Sequence, residues 1–188
     1  MSFSKPAALM PGYRRRLPHL QPDGAYLFVT WRLHGSLPSS VLRGRFPTPG
    51  HAFVAADRAL ALDQRRMWLR NPQIARLVSA SIRAGAAERQ LYELEAWVVM
   101  PNHVHLLLLP RVALAGIMQW LKGGTARQGN TIWGRSGEPF WQDESFDHWV
   151  RSEREFCRIA AYIEENPVSA GLVKAAEDWP WSSAARAS

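Results

Sequence analysis

The stretch that decides the fold is WVVMPNHVHLLLLP, residues 97–110, the most apolar run in the chain. Pro101 and Pro110 bracket its second half, and because proline is poorly tolerated inside a central strand, we predict a strand between them. Successive side chains of a strand point to opposite faces, so His103 and His105 share one face, about 6–7 Å apart. One interpretation is a pair of ligands for one metal ion, and the other is a buried strand with two polar residues. Burying two unpartnered imidazoles is costly, which favours the metal site.

The charge of the chain favours a polyanionic partner. Among its 188 residues, 23 are Lys or Arg and 16 are Asp or Glu, so the formal net charge is +7. The only lysines are Lys5, Lys122 and Lys174. Because arginine binds phosphate in planar, bidentate geometry, this balance places nucleic acid ahead of an anionic membrane as the expected partner.

Cysteine usage and hydropathy exclude several classes of protein. Cys157 is the one cysteine, which rules out an internal disulfide and a cysteine-based zinc site. No segment has the length and apolarity of a membrane span, and the N-terminus lacks the apolar core of a signal peptide. We therefore expect a cytoplasmic protein with no membrane partner.

The periodicity of apolar residues predicts one α+β domain over residues 25–188, after an irregular basic arm over residues 1–24. The pattern reads as strand, helices, strand, strand, helix, short strand and helix. This order predicts a ferredoxin-like βαββαβ sandwich: an antiparallel sheet with helices on one face and a helical insertion after the first strand. The insertion falls within residues 46–89. The predicted strands cover residues 26–33, 91–100, 103–109 and a short region near 145–150, and the predicted helices cover 52–70, 72–87, 114–128 and 153–166.

The last predicted helix offers partners for the histidine strand. Ser152 and Glu155 form a capping-box pattern at its start, and Pro167 is expected to stop it. Tyr162 and Asn166 lie four residues apart, so both point to the same side of the helix. Tyrosine can form covalent intermediates, and a divalent metal would activate a phosphoryl group for its attack. The alternative is an ordinary helix tyrosine followed by a helix-end asparagine.

Two motifs in this order resemble those of a known family. MPNHVHL, residues 100–106, looks like the histidine–hydrophobe–histidine motif of single-tyrosine HUH transposases. YIEENPV, residues 162–168, followed by AGLV, residues 170–173, resembles the tyrosine helix of their REP-associated branch. Shorter matches extend the resemblance over nearly the whole chain; they lie at residues 97–100, 140–141, 148–151 and 178–183.

The resemblance implies a chemistry that the residues alone leave open. Enzymes of this family cut single-stranded DNA beside a hairpin, form a 5′-phosphotyrosine, and rejoin strands by reversing that step. It implies Tyr162 as the nucleophile, His103 and His105 as ligands of Mg²⁺ or Mn²⁺, and Asn166 as the third polar ligand. The implied partner is a single-stranded DNA hairpin of the REP palindrome type, and relatives include both monomers and homodimers.

Several basic residues are candidate DNA contacts. Arg14, Arg15 and Arg16 form a basic cluster in the predicted arm, which is either disordered or lies along a phosphate backbone. Arg32 and Arg151 stand near tryptophans, a combination that suits base stacking and phosphate contact as well as simple core packing. The remaining candidates are Lys122 and Arg127 on a predicted helix, and His148, which could orient a phosphate or be structural.

Three functions fit the sequence. The first is a DNA nuclease and strand transferase that uses Tyr162. The second is a catalytically silent DNA-hairpin binder with the same fold and basic surface. The third is a metal-dependent phosphoesterase in which water replaces the tyrosine as nucleophile.

Overall fold

The secondary structure follows the predicted order. A computed structural model describes residues 24–38, 41, 44–63 and 66–186. The predicted basic arm lies outside these residues, apart from Gly24. Short 3₁₀ helices cover Trp68–Arg70 and Ala176–Asp178. The strands and helices are β1 (Leu27–Arg32), α1 (Pro49–Leu62), α2 (Pro72–Ala87), β2 (Tyr92–Val99), β3 (His103–Pro110), α3 (Leu114–Ile132), β4 (Phe146–Trp149) and α4 (Glu153–Ser169).

The four strands form one sheet in the order β2-β3-β1-β4, with every neighbouring pair antiparallel. This is the strand order of a ferredoxin-like sandwich, so the predicted α+β class is confirmed. The apolar run behaves as expected, because β3 is a central strand whose first six residues are all buried. Within the described residues, no helix is long and apolar enough to cross a membrane.

The layers of the structure differ from the predicted sandwich, because helices cover both faces of the sheet. On one face, Val104 and Leu106 pack in a core with Ile74 of α2 and Ile117 of α3. On the other face, Leu107 belongs to a second core that α4 and α1 cover. The physical reason is that β3 carries apolar side chains on both faces, so each face requires cover from water.

The predicted insertion supplies helix α1, which covers the second face of the sheet together with α4. A βαββαβ plan needs one helix between β1 and β2, and α2 supplies it, so α1 is the added element. The predicted single helix over residues 52–70 is wrong: α1 ends at Leu62, because Asp63 takes up an extended backbone conformation. Asn71 then caps α2 by accepting a hydrogen bond from the backbone of Gln73.

The prediction that Pro167 stops the last helix is also wrong. Helix α4 continues to Ser169, with Pro167 in its final turn. Proline removes one backbone donor, but near the end of a helix few turns remain to be disrupted. Gly171 then ends the segment with φ of +69°, a left-handed conformation that glycine adopts without steric cost. The predicted Ser152 cap is present, and its hydroxyl accepts a hydrogen bond from the backbone of Glu155.

A segment near the C-terminus lies along the edge of β2. The backbone N–H of Val99 donates to the carbonyl of Trp181 at 2.8 Å, and that of Ser183 donates to the carbonyl of Trp97 at 2.9 Å. The indole N–H of Trp179 donates to the Val99 carbonyl at 3.0 Å. These bonds satisfy backbone groups on a strand edge that would otherwise face solvent.

We expect Gly85→Ala to lower the free energy of unfolding by about 1–3 kcal/mol, the usual effect of overpacking. A Cβ at Gly85 would overlap the hydroxyl of Tyr92, which is fixed because it donates to the Ile82 carbonyl at 2.7 Å. Gly123→Ala is the matched control on α3, where an added Cβ meets nothing within 4 Å. That control should be neutral or stabilise by up to about 1 kcal/mol. Urea denaturation of both variants measures the difference, and equal effects would contradict this packing.

Candidate metal and nucleophile site

Three side chains from two elements converge on the face of the sheet that α1 and α4 cover. His103 and His105 project from β3, and Asp57 projects from α1. One potential ligand atom from each residue lies within 4.8 Å of the other two. Oδ1 of Asp57 lies 3.2 Å from Nε2 of His105 and 3.6 Å from Nε2 of His103. The prediction that both histidines share one face is therefore confirmed.

Hydrogen bonding fixes the tautomer of His103. The side-chain N–H₂ of Asn102 donates to the carbonyls of Leu60 at 2.8 Å and Asp63 at 3.3 Å, both at the end of α1. This orientation leaves Oδ1 of Asn102 as the acceptor facing Nδ1 of His103, at 2.7 Å. Nδ1 must therefore carry the proton, so Nε2 of His103 presents a lone pair to the cluster.

His105 is held by a strand neighbour and by two aromatic rings. Thr30 is its register partner on β1, and the threonine hydroxyl lies 2.7 Å from Nδ1 of His105. The ring of Phe28 stacks on the imidazole at 5.6 Å between centroids, and Phe53 approaches it edge-on at 6.2 Å. Outer contacts of this kind orient histidine ligands in metal sites.

The chemistry of these donors fits a divalent cation. Nε2 of His103 and Oδ1 of Asp57 are both buried, and neither makes a hydrogen bond with any residue that the structure describes. Buried polar atoms are rarely left without a partner, and each such atom calls for an explanation. Two imidazole nitrogens and a carboxylate oxygen that face one point form a donor set that binds divalent metals.

Helix α4 brings Tyr162 and Asn166 to the same point. The Tyr162 hydroxyl donates to Oδ2 of Asp57, while Oδ1 of that carboxylate faces the histidines. The amide nitrogen of Asn166 lies 3.5 Å from Nε2 of His105, and rotating the amide by half a turn would present its oxygen instead. The structure thus brings together the four residues predicted from the two motifs.

The site favours a charged Asp57 carboxylate beside a neutral His103 and a protonated Tyr162. Burial alone would raise the pKa of Asp57, but its interactions with His105, His103 and Tyr162 outweigh that effect and lower the pKa to about 2. Burial lowers the pKa of His103 to about 3, aided by repulsion from His105 and opposed by Asp57. The pKa of Tyr162 is raised by burial and then by the negative charge of Asp57. Near neutral pH the cluster therefore holds a carboxylate, a neutral His103 and a protonated phenol.

The sequence analysis missed Asp57. A signal for it exists, because Phe53, Asp57 and Leu60 follow the spacing i, i+4 and i+7 of one helix face. An acidic residue within an apolar stripe is expected to be buried once the helix packs. Buried carboxylates are usually paired with another group or bound to metal. The side chain of Asp57 is only 16% exposed.

Two of the predicted DNA contacts lie on the same sheet face as the cluster. Arg32 is the register partner of His103, and burial lowers the pKa of its guanidinium to about 10, so it stays charged. It donates to the side chain of Gln142 at 3.5 Å. His148 lies on β4, and its Nε2 is 2.9 Å from a carboxylate oxygen of Glu155. This contact ties β4 to the first turn of α4.

Of the other predicted contacts, the structure describes Lys122, Arg127 and Arg151. Lys122 and Arg127 are on α3, which covers the opposite face of the sheet. The ammonium of Lys122 donates to two loop carbonyls, those of Gln142 and Asp143, at 2.6 and 2.7 Å. Arg151 is exposed next to α4, with its guanidinium 5.4 Å from the ring centre of Trp149. The contacts predicted for residues 14–16 fall outside the described residues, and all these DNA contacts stay predictions.

The geometry can now be compared with known proteins. The family model described as "Transposase IS200 like" matches residues 58–166, more than half of the chain. The chain belongs to this transposase family. The matched stretch contains both histidines, Tyr162 and Asn166, and it begins one residue after Asp57. The family that the sequence motifs predicted is confirmed.

Two curated relatives and one solved structure carry a more specific description. The chain is 32% identical over 92 residues to the REP-associated tyrosine transposase of Escherichia coli K12, covering 48% of this chain and 53% of that protein. It is 30% identical over 109 residues to a candidate REP-associated tyrosine transposase of Haemophilus influenzae, covering 51% and 61%. A solved REP-associated tyrosine transposase bound to a REP hairpin shares the fold, with a TM-score of 0.57, 24% identity, and 92% and 82% coverage. The matches therefore span little more than half the length of these curated relatives.

We expect Thr30→Val to weaken Mn²⁺ binding by about 10- to 100-fold, the usual effect of losing an outer hydrogen bond to a histidine ligand. His105→Ala should weaken it at least as much, because a candidate ligand itself is lost. Thr131→Val is the matched control, since its hydroxyl donates to the Arg127 carbonyl on α3, away from the cluster. Isothermal titration of the full chain with MnCl₂ measures all three. Equal affinity of Thr30→Val and wild type would show that Thr30 does not orient the ligand.

Proposed function

We propose that this protein cleaves and rejoins single-stranded DNA beside hairpins through a covalent tyrosyl intermediate. In this proposal Tyr162 is the nucleophile, and Mg²⁺ or Mn²⁺ is held by Asp57, His103 and His105, with Asn166 as a further ligand. The observation that carries it is the Asp57 carboxylate, which contacts the Tyr162 hydroxyl through one oxygen and faces both imidazoles through the other. Membership of the transposase family supports the reaction class.

The proposed reaction exchanges one phosphodiester bond for another. The Tyr162 oxygen attacks the scissile phosphorus, a bond forms between these atoms, and the bond from phosphorus to the 3′ oxygen breaks. The phenol proton passes to Oδ2 of Asp57, which already accepts the Tyr162 hydroxyl. An equivalent proton from solvent converts the departing 3′ oxygen to a 3′-OH. Attack by a second 3′-OH reverses the step and joins strands, since the number of P–O bonds is unchanged.

The surrounding residues support positioning of the phosphate. Bound at the cluster, a divalent cation would polarise a phosphoryl oxygen and offset the carboxylate charge that raises the Tyr162 pKa. Arg32 lies beside His103 on the same face, where its guanidinium can contact a non-bridging oxygen. Tyr162 is held between Asp57 and the ring of Phe28, which limits its motion before attack.

The proposed substrate rests on charge and on relatives. A net charge of +7 suits a polyanion. The solved neighbour is bound to a REP hairpin, and both curated relatives are described as REP-associated. We therefore propose single-stranded DNA hairpins of the REP palindrome type as the substrate.

We expect wild-type protein with Mn²⁺ to form a covalent adduct on a single-stranded hairpin oligonucleotide, and Tyr162→Phe to form none. The phenylalanine ring keeps the packing against Phe28 but lacks the attacking oxygen. Tyr26→Phe is the matched control, because its hydroxyl instead contacts Glu95 at 3.3 Å. Denaturing gels of labelled palindromes from the host genome measure the adduct, and binding is measured in parallel with EDTA present.

Each alternative has its own outcome in this assay. Cleavage that survives in Tyr162→Phe, without an adduct, would make water the nucleophile and favour a phosphoesterase. Tight binding of hairpins by wild-type protein, with neither adduct nor cleavage across the panel, would favour a silent hairpin binder. A Tyr26→Phe variant that also loses the adduct would show that the assay reports on folding instead of chemistry.

A further inference from the structure

A groove walled by aromatic rings opens beside Tyr162, and neither His103 nor His105 lines it. Its cavity of about 550 Å³ lies between α1, β4 and α4, and its aromatic walls are Phe28, Phe53, Phe146 and Tyr162. We define these four rings as the aromatic groove. Phe53 and Phe146 stack at 4.6 Å between centroids with 28° between their planes, and Phe28 meets Phe53 edge-on at 5.2 Å. The groove thus offers flat apolar walls beside the proposed nucleophile.

We propose that the aromatic groove binds one unpaired nucleobase next to the scissile phosphate. This inference rests on the proposed function, because the Tyr162 ring is a wall of the groove while its oxygen is the proposed attacking atom. When the scissile phosphate meets the Tyr162 oxygen, the base of an adjoining nucleotide must lie beside the groove, because the Tyr162 ring is one of its walls. Every base has a π-face, so stacking on phenylalanine rings requires no particular sequence.

The mouth of the groove supplies charge suited to a sugar–phosphate chain. Arg151 and Arg158 line it, and both are exposed. Asp147 and Glu155 also line it. The Glu155 carboxylate is engaged by His148 at 2.9 Å and by the backbone N–H of Arg151 at 2.8 Å. The Arg158 guanidinium also lies 3.6 Å from that carboxylate. Both guanidinium groups are nevertheless exposed at the mouth, where they favour a neutral base inside the groove with its phosphate outside.

Helix α1 contributes side chains to both the aromatic groove and the proposed metal site. The same helix contributes Phe53 to the aromatic walls, Val54 to the rim and Asp57 to the proposed metal site. Val54 is 64% exposed, an apolar side chain at the rim that a bound nucleotide would cover. Because α1 is added to the βαββαβ plan, this one helix would fix the position of the bound base relative to the reacting phosphate.

The test scans abasic sites through the single strand that flanks a hairpin oligonucleotide, with EDTA present to prevent cleavage. For wild-type protein, one abasic position next to the cleavage point should weaken binding by about 5- to 150-fold, the equivalent of one lost stacking interaction. Val54→Glu should weaken binding of the intact strand and abolish this position dependence. Leu62→Glu is the matched control on the same helix, because Leu62 is 75% exposed and does not line the groove.

A second pair of variants tests the mouth without touching an apolar wall. Arg158→Gln should lower the slope of log affinity against log salt by about one, as expected for one lost phosphate contact. Arg154→Gln, on the same helix but outside the groove, should leave that slope unchanged. Thermal melts of the four variants confirm that each is folded.

The outcomes separate this inference from the proposed function. A flat abasic scan in wild-type protein, or a Val54→Glu variant that keeps the position dependence, overturns the base site. Adduct formation on those same oligonucleotides with Mn²⁺ would leave the proposed chemistry standing in that case. A sharp position dependence without any adduct would instead support the base site and overturn the proposed chemistry.

Discussion

The geometry of the candidate metal site depends on one buried side chain, Asn102, in the turn between β2 and β3. Its amide nitrogen donates to two carbonyls at the end of α1, and its oxygen accepts from His103. One residue therefore anchors the helix that carries Asp57 and sets the tautomer of a candidate ligand. A buried amide with every partner in place defines a single geometry, because any shift leaves a polar group unpaired. The position of α1 and the direction of the His103 lone pair are consequently coupled.

The parts predicted from sequence are those that local periodicity governs. Alternation along β3 puts both histidines on one face, and spacing of four in α4 puts Tyr162 and Asn166 on one side. The position of Asp57 depends instead on how α1 docks, which depends on Asn102, a residue 45 positions away in the chain. A carboxylate on a helix gives no local sign of which strand it will face. Tertiary contacts of this kind are visible only in the folded chain.

Two of the three wrong expectations show how the surroundings of an element override a local rule. Helices are predicted on one face because the order of elements fits a βαββαβ sandwich. The sheet here is apolar on both faces, and the added helix α1 together with α4 covers the second. Pro167 is predicted to end α4, yet the helix continues for two more residues, to Ser169, and Gly171 beyond it adopts a left-handed conformation. Proline restricts only the helical turn before it. The chain leaves the helix axis through a left-handed residue, a conformation that glycine adopts without steric cost.

The bonding of residues 179–183 to β2 has a consequence for handling the protein. That segment occupies a strand edge which, if bare, would be a template for pairing with another chain and for aggregation. A shortened version that stops before Trp179 would expose that edge together with the apolar residues beneath it. Expression trials should therefore keep residues through Ser183. An affinity tag at the C-terminal end should follow Ser183 on a linker, so that the pairing of residues 179–183 with the β2 edge is undisturbed.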